Sequence, residues 1–222
     1  MLFSDSGSGR AAALADELNG EAVTSNGEIA ERADVVVLAV KPACLEKVGA
    51  EIGNVARPLV SLLGATPVER IVAVFPSADV CRVMPNVAVE VRRGVLCVAG
   101  GGSPEVRKLL KLLGWVVELP DSAFDAATAV MGCSPAYLAM AAAALAESGA
   151  AEGLDPELAQ RMVAETMAGT AELLRRHSPA DIRRAVASPG GSTEAGLEAL
   201  ERGGGPAAFE AAVQASLKRM RQ

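Results

Sequence analysis

Residues 188–193 read Ser-Pro-Gly-Gly-Ser-Thr and lead into a helical pattern from Glu194 to Glu201. Proline fixes the approach and the paired glycines let the backbone come close to a ligand. The unbonded N–H groups of a helix start suit a carboxylate or phosphate, and the Thr193 hydroxyl lies among them. An ordinary capped helix start has the same composition, so the stretch reads either way. The run Ala39-Val40-Lys41-Pro42 places a lysine at the carboxyl end of an apolar, β-branched segment, which is where open α/β sheets bind ligands. Arg82-Val83-Met84-Pro85-Asn86 ends a second such segment, and Asn86 either bonds a ligand or caps the turn that follows. Gly7-Ser8-Gly9-Arg10-Ala11-Ala12 fits the pattern G-x-G-x-x-A at a helix start, but only Met1, Leu2 and Phe3 precede it as a strand. It reads as a dinucleotide fingerprint, as a structural turn, or as a ribose-side loop. In the last case Ser6, Ser8 and Arg10 offer hydroxyls and a forked cation to a 2′-phosphate, which favours NADP over NAD.

Other chemistries are excluded by what is scarce. His177 is the single histidine; it follows Arg175 and Arg176 at a helix end, where a cation suits the dipole, and reads as a cap. One histidine rules out multi-histidine metal sites and any triad with its histidine elsewhere. The cysteines Cys44, Cys81, Cys97 and Cys133 form no C-x-x-C pair and read as buried thiols in a reducing compartment. A net charge of -6 with 3% aromatic residues removes the basic footprint and stacking platforms of nucleic-acid binders. No secretory leader is legible in MLFSDSGSGR, and no uninterrupted apolar run reaches the roughly 18 residues of a membrane span. The expectation is a cytoplasmic protein acting on a small molecule, with neither nucleic acid nor membrane as partner.

The elements that must position these residues follow from periodicity. With 222 residues, half of them hydrophobic, the chain buries one large core or two smaller ones. Apolar runs predict strands over 35–40, 59–63, 80–84, 94–99 and 115–119, with helices over 10–19, 26–32, 44–55, 67–74 and 104–113 between them. That alternation is the signature of a parallel sheet with crossover helices. After Asp121 only helices are legible, started by Asp155-Pro156 and by Ser178-Pro179-Ala180-Asp181. The expected fold is α/β, a Rossmann-like domain over 1–120 followed by an all-α domain over 121–222. The segment 124–146 is apolar almost all the way round, so it needs a second subunit to cover it.

Taken in order, AVKP at 39–42, RVMPN at 82–86, PAY at 135–137, GL at 153–154 and SPGGST at 188–193 resemble pyrroline-5-carboxylate reductase over nearly the whole chain. The resemblance implies a Rossmann domain followed by a helical domain that interlocks two subunits, as a homodimer or a higher homo-oligomer. It implies reduction of the cyclic imine 1-pyrroline-5-carboxylate to L-proline by hydride from NADPH or NADH, the last step of proline synthesis. By the same resemblance Asn26 matches the family's cofactor-contacting Asn, Ser6 falls where the adenosine ribose or its phosphate is met, and Val40, Lys41 and Pro42 match the loop beside the nicotinamide ribose. Gly191, Ser192 and Thr193 match the substrate-carboxylate loop, with the Thr193 hydroxyl placed for the imine nitrogen or carboxylate. Asn86 joins the cofactor-contact candidates.

Departures from the family pattern accompany the matches. The chain begins where the family's second strand begins, so the first strand, its glycine loop and the first helix are expected to be missing, a stretch of roughly 30 residues in a βαβ unit. A partner or another segment should then cover the exposed strand edge. The family's S-G-S-G-P-A-Y reads Met131-Gly132-Cys133-Ser134-Pro135-Ala136-Tyr137, Ala88 replaces a proline, Ala143 replaces an acid, and the loop at Ser61 to Gly64 is one residue shorter. These motivate two alternatives, a non-catalytic relative that keeps the dimerisation domain and an imine reductase with another substrate.

Overall fold

The computed structural model describes residues 1–221, which divide into two compact units: Met1–Gly132, to which the chain end returns at Met220, and Cys133–Arg219. The first unit holds strands β1 (Leu2–Phe3), β2 (Glu21–Ala22), β3 (Val36–Leu38), β4 (Pro58–Ser61), β5 (Asp79–Pro85), β6 (Gly94–Gly100) and β7 (Gly114–Glu118). Helices α1 (Arg10–Leu18), α2 (Asn26–Arg32), α3 (Leu45–Ile52), α4 (Val68–Val74) and α5 (Pro104–Lys111) lie between them in sequence, and α6 (Phe124–Ala127) follows. β1 and β2 pair in parallel as a two-stranded sheet, and β3 to β7 form a five-stranded sheet in sequence order. Among the described residues no strand pairs with both β1 and β3, so each keeps one open edge.

The large sheet is mixed rather than wholly parallel. β3, β4 and β5 are parallel, β6 is antiparallel to β5, and β7 is parallel to β6. The reversal has a simple cause: the link from Asn86 to Arg93 is taken up by a 3-10 turn over Val87–Val91, too short for the crossover of about a dozen residues that a parallel return needs. The strands β1 and β2, two residues each, carry too little periodicity to be read from sequence, and the run expected over 35–40 pairs only from Val36 to Leu38.

One face of the large sheet packs Val36, Leu38, Leu59 and Val80 against Leu45 and Val48 of α3 and Ile71 of α4, with Phe75 fully buried beside them. Val60, Cys81, Val83, Leu96 and Val98 pack with Val106 and Leu110 of α5. Burial of this apolar area, worth about 25 cal/mol per Å², holds the strands in register. The Cys81 and Cys97 thiols are pushed above their usual range by burial, which suits inert core packing. On β3 burial alternates with the pleat and only one face is covered: Val36 and Leu38 are buried while Val37 is 55% exposed.

The second unit is helical: α7 (Ser134–Ala151), α8 (Pro156–Leu174), α9 (Pro179–Val186), α10 (Ser192–Arg202) and α11 (Gly205–Met220). The start signals act as read. Asp155 accepts the Leu158 N–H at 2.9 Å, and Ser178 accepts the Asp181 N–H at 3.2 Å while its hydroxyl donates to the Asp181 carboxylate at 2.6 Å. Tyr137 Oη meets Ser216 Oγ at 2.6 Å, tying α7 to α11.

The apolar stretch expected as one helix over 124–146 is divided. A 3-10 turn over Asp121–Ala123 leads into α6, a π-helical turn spans Thr128–Gly132, and α7 begins only at Ser134. As a whole, Asp121–Ala151 is long and apolar enough to cross a membrane by length and composition, with mean hydropathy 1.6 and 6% of its apolar window buried. Asp125, Ser134 and Tyr137 interrupt it in sequence, so a search for an unbroken apolar run passes over it.

Candidate active site

In the first unit the site is built around the carboxyl ends of the parallel strands, the edge where open α/β sheets bind ligands. After β1 the chain runs Ser4-Asp5-Ser6-Gly7-Ser8-Gly9 into α1. Here the Asp5 carboxylate closes the loop on itself. It accepts the backbone N–H of Gly7 at 2.6 Å, of Ser8 at 3.0 Å and of Ala11 at 2.8 Å, and the Ser8 hydroxyl at 3.0 Å. The Ala11 N–H and then the Gly7 N–H hold the carboxyl well below its usual range, down to about 2. Gly7 and Gly9 take φ of 92° and 78°, conformations in which a side chain is strained.

This arrangement decides between the readings of G-x-G-x-x-A. The N–H groups of Gly7, Ser8 and Ala11 point at an internal carboxylate, so they do not form a pyrophosphate cradle. What the loop leaves outward is Ser6 and Arg10, both exposed, and Arg10 has no partner among the described residues. Asp5 stays at the exposed surface with both carboxylate oxygens engaged by the loop's own donors.

Asn26 starts α2 beneath Ser25, whose hydroxyl accepts the Glu28 N–H. The Asn26 side chain accepts the Ser4 hydroxyl through Oδ1 and donates from Nδ2 to Glu51 at 2.6 Å. Ser4 and Glu51 were not legible as site residues: a serine at the end of a two-residue strand and an acid on the far side of α3 have no shared spacing. The chemistry of the set, hydroxyls at Ser4 and Ser6, an amide at Asn26 and the free guanidinium of Arg10, suits a phosphate monoester dianion beside a ribose.

Val40 and Lys41 follow β3 in extended backbone, and Pro42 opens a 3-10 turn over Pro42–Cys44 that leads into α3. Lys41 is exposed and has no partner among the described residues. At the end of β5, Asn86 is held at both ends of its amide. Oδ1 accepts the Val95 N–H at 3.1 Å, and Nδ2 donates to the Met131 carbonyl at 3.1 Å. Further back on β5, Arg82 is buried, bonds Asp121 at 2.8 Å and lies 4.3 Å from the Phe124 ring centroid. The second Asp121 oxygen accepts the Val68 N–H at the start of α4, 3.2 Å away.

In the second unit, Ser188 to Thr193 turns tightly into α10. Gly190 has φ of 73°, and a Cβ on Gly191 would stand 2.9 Å from the Ser188 carbonyl, so both glycines are required by the backbone. The Gly191 N–H bonds the Ser188 carbonyl at 2.9 Å, and the Gly190 N–H bonds the Glu194 carboxylate at 2.7 Å. Gly191 is the N-cap, which leaves the N–H groups of Ser192 and Thr193 at the open helix end. Thr193 is exposed there with its hydroxyl. The helix begins two residues earlier than the pattern predicts, because Ser192 and Thr193 already take helical backbone.

Residues 121–222 match the model for pyrroline-5-carboxylate reductase dimerisation, and residues 1–63 match the model for coenzyme F420-dependent NADP oxidoreductases. The chain is 39% identical over 207 residues to a pyrroline-5-carboxylate reductase of Synechocystis, covering 89% of this chain and 78% of that protein. It is 35% identical over 235 residues to the Mycobacterium tuberculosis enzyme of the same name, covering 90% and 80%. The crystal structure of 1-pyrroline-5-carboxylate reductase from Streptococcus pyogenes superposes with a TM-score of 0.90 at 28% identity, over 99% of this chain and 88% of that one.

Proposed function

Because the chain belongs to the pyrroline-5-carboxylate reductase family, we propose that its two units divide the reduction of 1-pyrroline-5-carboxylate to L-proline between a cofactor-holding sheet edge and a carboxylate-holding helix start. The enzyme is an NADP-dependent oxidoreductase. The observation that carries the cofactor reading is the engagement of the Asp5 carboxylate by the N–H groups of Gly7, Ser8 and Ala11, which leaves the exposed Arg10 guanidinium without an acidic partner. A 2′-phosphate brings two negative charges, which a free guanidinium attracts.

On this reading Ser6, Ser4, Asn26 and Arg10 hold the adenosine ribose and its phosphate. Val40, Lys41 and Pro42 border the nicotinamide ribose, with the Lys41 ammonium beside it. Bound NADPH supplies the hydride that the imine carbon takes up. The protein needs little acid-base power, since a protonated imine is already electrophilic and the main task is orientation. In the second unit the N–H groups of Ser192 and Thr193 hold the substrate carboxylate, and Gly191 lets it approach. The Thr193 hydroxyl bonds the ring nitrogen or the carboxylate and so fixes which face of the ring is presented.

A homodimer is supported by the match to a dimerisation region over 121–222 and by α7, on which Leu138, Met140 and Leu145 are exposed in the single chain. Covering that face with a second copy removes the apolar surface that would otherwise meet water. Four free cysteines, Cys44, Cys81, Cys97 and Cys133, suit the reducing cytoplasm.

The test is oxidation of NADPH by the purified chain with 1-pyrroline-5-carboxylate, followed by quantification of proline. Equimolar NADP and proline are expected. A folded, dimeric chain that binds NADPH without forming proline would leave the family membership intact and overturn the activity, in favour of a non-catalytic relative.

A further inference from the structure

Asn26 and Glu51 carry an inference that deepens the cofactor reading and rests on it. An asparagine amide turns broadly about its last torsion, so its oxygen and nitrogen exchange places unless partners of opposite kind hold the two ends. Asn26 has both. The Glu51 carboxylate, on the last turn of α3, can only accept, and its Oε2 takes a hydrogen from Asn26 Nδ2 at 2.6 Å. At the other end Asn26 Oδ1 accepts the hydroxyl of Ser4, the residue after β1. One Nδ2 hydrogen and one Oδ1 lone pair are left for a ligand, each in a settled place.

We propose that Glu51 is a positioning residue for the NADPH adenosine ribose: it accepts one Asn26 amide hydrogen and so fixes which end of that amide the nucleotide meets. Three features combine. Glu51 is itself held, since its Oε1 faces the Lys47 ammonium at 3.8 Å, one helical turn back, and each carboxylate oxygen has its own partner. The backbones also meet: a Cβ on Gly27, next to Asn26, would stand 3.3 Å from the Glu51 carbonyl oxygen, so the start of α2 rests on the end of α3. The Glu51 side chain is 42% exposed, and a contact so open to water adds little to folding stability, so its consequence lies in where it points the amide. Ser4, Asn26 and Glu51 all belong to the first unit. Glu51 acts through Asn26, because a carboxylate set directly against a ribose phosphate would oppose it by charge.

Two substitutions separate the bond from the charge. Glu51→Ala and Glu51→Gln both remove the charge, so any field effect on the phosphate is common to them, while only Gln keeps an oxygen to accept the Asn26 hydrogen. The NADPH dissociation constant, read by nucleotide fluorescence, is expected to be about tenfold higher in Glu51→Ala than in Glu51→Gln. In an Asn26→Ala background the same two variants should agree within about twofold, because the group through which Glu51 acts is gone. Urea midpoints of both Glu51 variants should match that of the unaltered chain. Equal dissociation constants for the two Glu51 variants would overturn the proposal, as would a tenfold difference that survives Asn26→Ala. A loss of affinity in Glu51→Ala that comes with a lowered urea midpoint would also overturn it, as the mark of a structural bond. The adenosine-site reading is tested apart from this: Asn26→Ala alone should weaken NADPH binding about tenfold, and unchanged binding there would overturn that reading together with the role of Glu51. None of these readouts requires turnover.

Discussion

The Asp5 carboxylate sits 2.8 Å from the backbone N–H of Ala11, across the start of α1. A loop that resembles a dinucleotide cradle in sequence is thereby filled by the protein's own anion. The folded carboxyl titrates at about 2 against an ordinary value of 3.8. A depressed folded value means that its contribution to stability is complete above pH 3.8 and is lost as pH falls from there through about 2. The melting temperature of Asp5→Asn should therefore lie below that of the unaltered chain at pH 6, and the two should converge as the pH approaches 2. A gap that is constant from pH 6 to pH 2 would contradict the bond pattern.

Arg10 should discriminate between nucleotides. Arg10→Ala is expected to weaken NADPH binding about tenfold, the loss of one exposed charge-assisted contact, and to leave NADH binding within about twofold. Titration by nucleotide fluorescence at low and moderate salt checks this, and the NADPH effect should shrink with salt because Arg10 is exposed.

Gly191→Ala should act on substrate and not on cofactor. Its Cβ would lie 2.9 Å from the Ser188 carbonyl, so the turn must open and the N–H groups ahead of α10 lose their alignment. The Michaelis constant for the imine is expected to rise about tenfold or more with NADPH affinity unchanged, measured by steady-state kinetics and direct binding.

Removing Arg82 should cost stability. Its side chain is 4% exposed, and its loss leaves Asp121 without its cation while Phe124 loses a stacked guanidinium. Asp121 keeps the Val68 N–H and some water, since it is 25% exposed, so the cost of Arg82→Ala should fall near the low end for a broken buried pair, about 3 kcal/mol. Urea unfolding of both proteins measures it.

Strands β3 to β7 and the helix starts at Asp155 and Ser178 were legible because periodicity and capping chemistry are local. The direction of β6 was hidden because the Asn86–Arg93 link is read as a loop of unknown path until its length is compared with a crossover. β1 and β2 are too short to show a pattern. Gly7 to Ala12 has the spacing of a nucleotide loop but not its function, because Asp5 takes up the N–H groups of Gly7, Ser8 and Ala11. Among the site candidates, Lys41 and the Gly191 to Thr193 turn were read from a strand end and turn chemistry, and Asn26 only through the family resemblance. Ser4, Glu51 and the Met131 carbonyl were not, since each gains its role from a partner 22 to 45 residues away. The one advance signal for Met131 was Pro135, four residues on, which removes its donor.

The reductase reading turns on where the hydride goes. The purified chain should be incubated with 1-pyrroline-5-carboxylate and NADPH carrying deuterium at the transferable position of the nicotinamide, and the proline analysed by mass spectrometry. The expected product is L-proline with a single deuterium on the ring carbon that was doubly bonded to nitrogen, formed in equal amount to NADP. Proline without deuterium, or no proline from a chain that is folded and binds NADPH, would contradict direct hydride transfer by this protein.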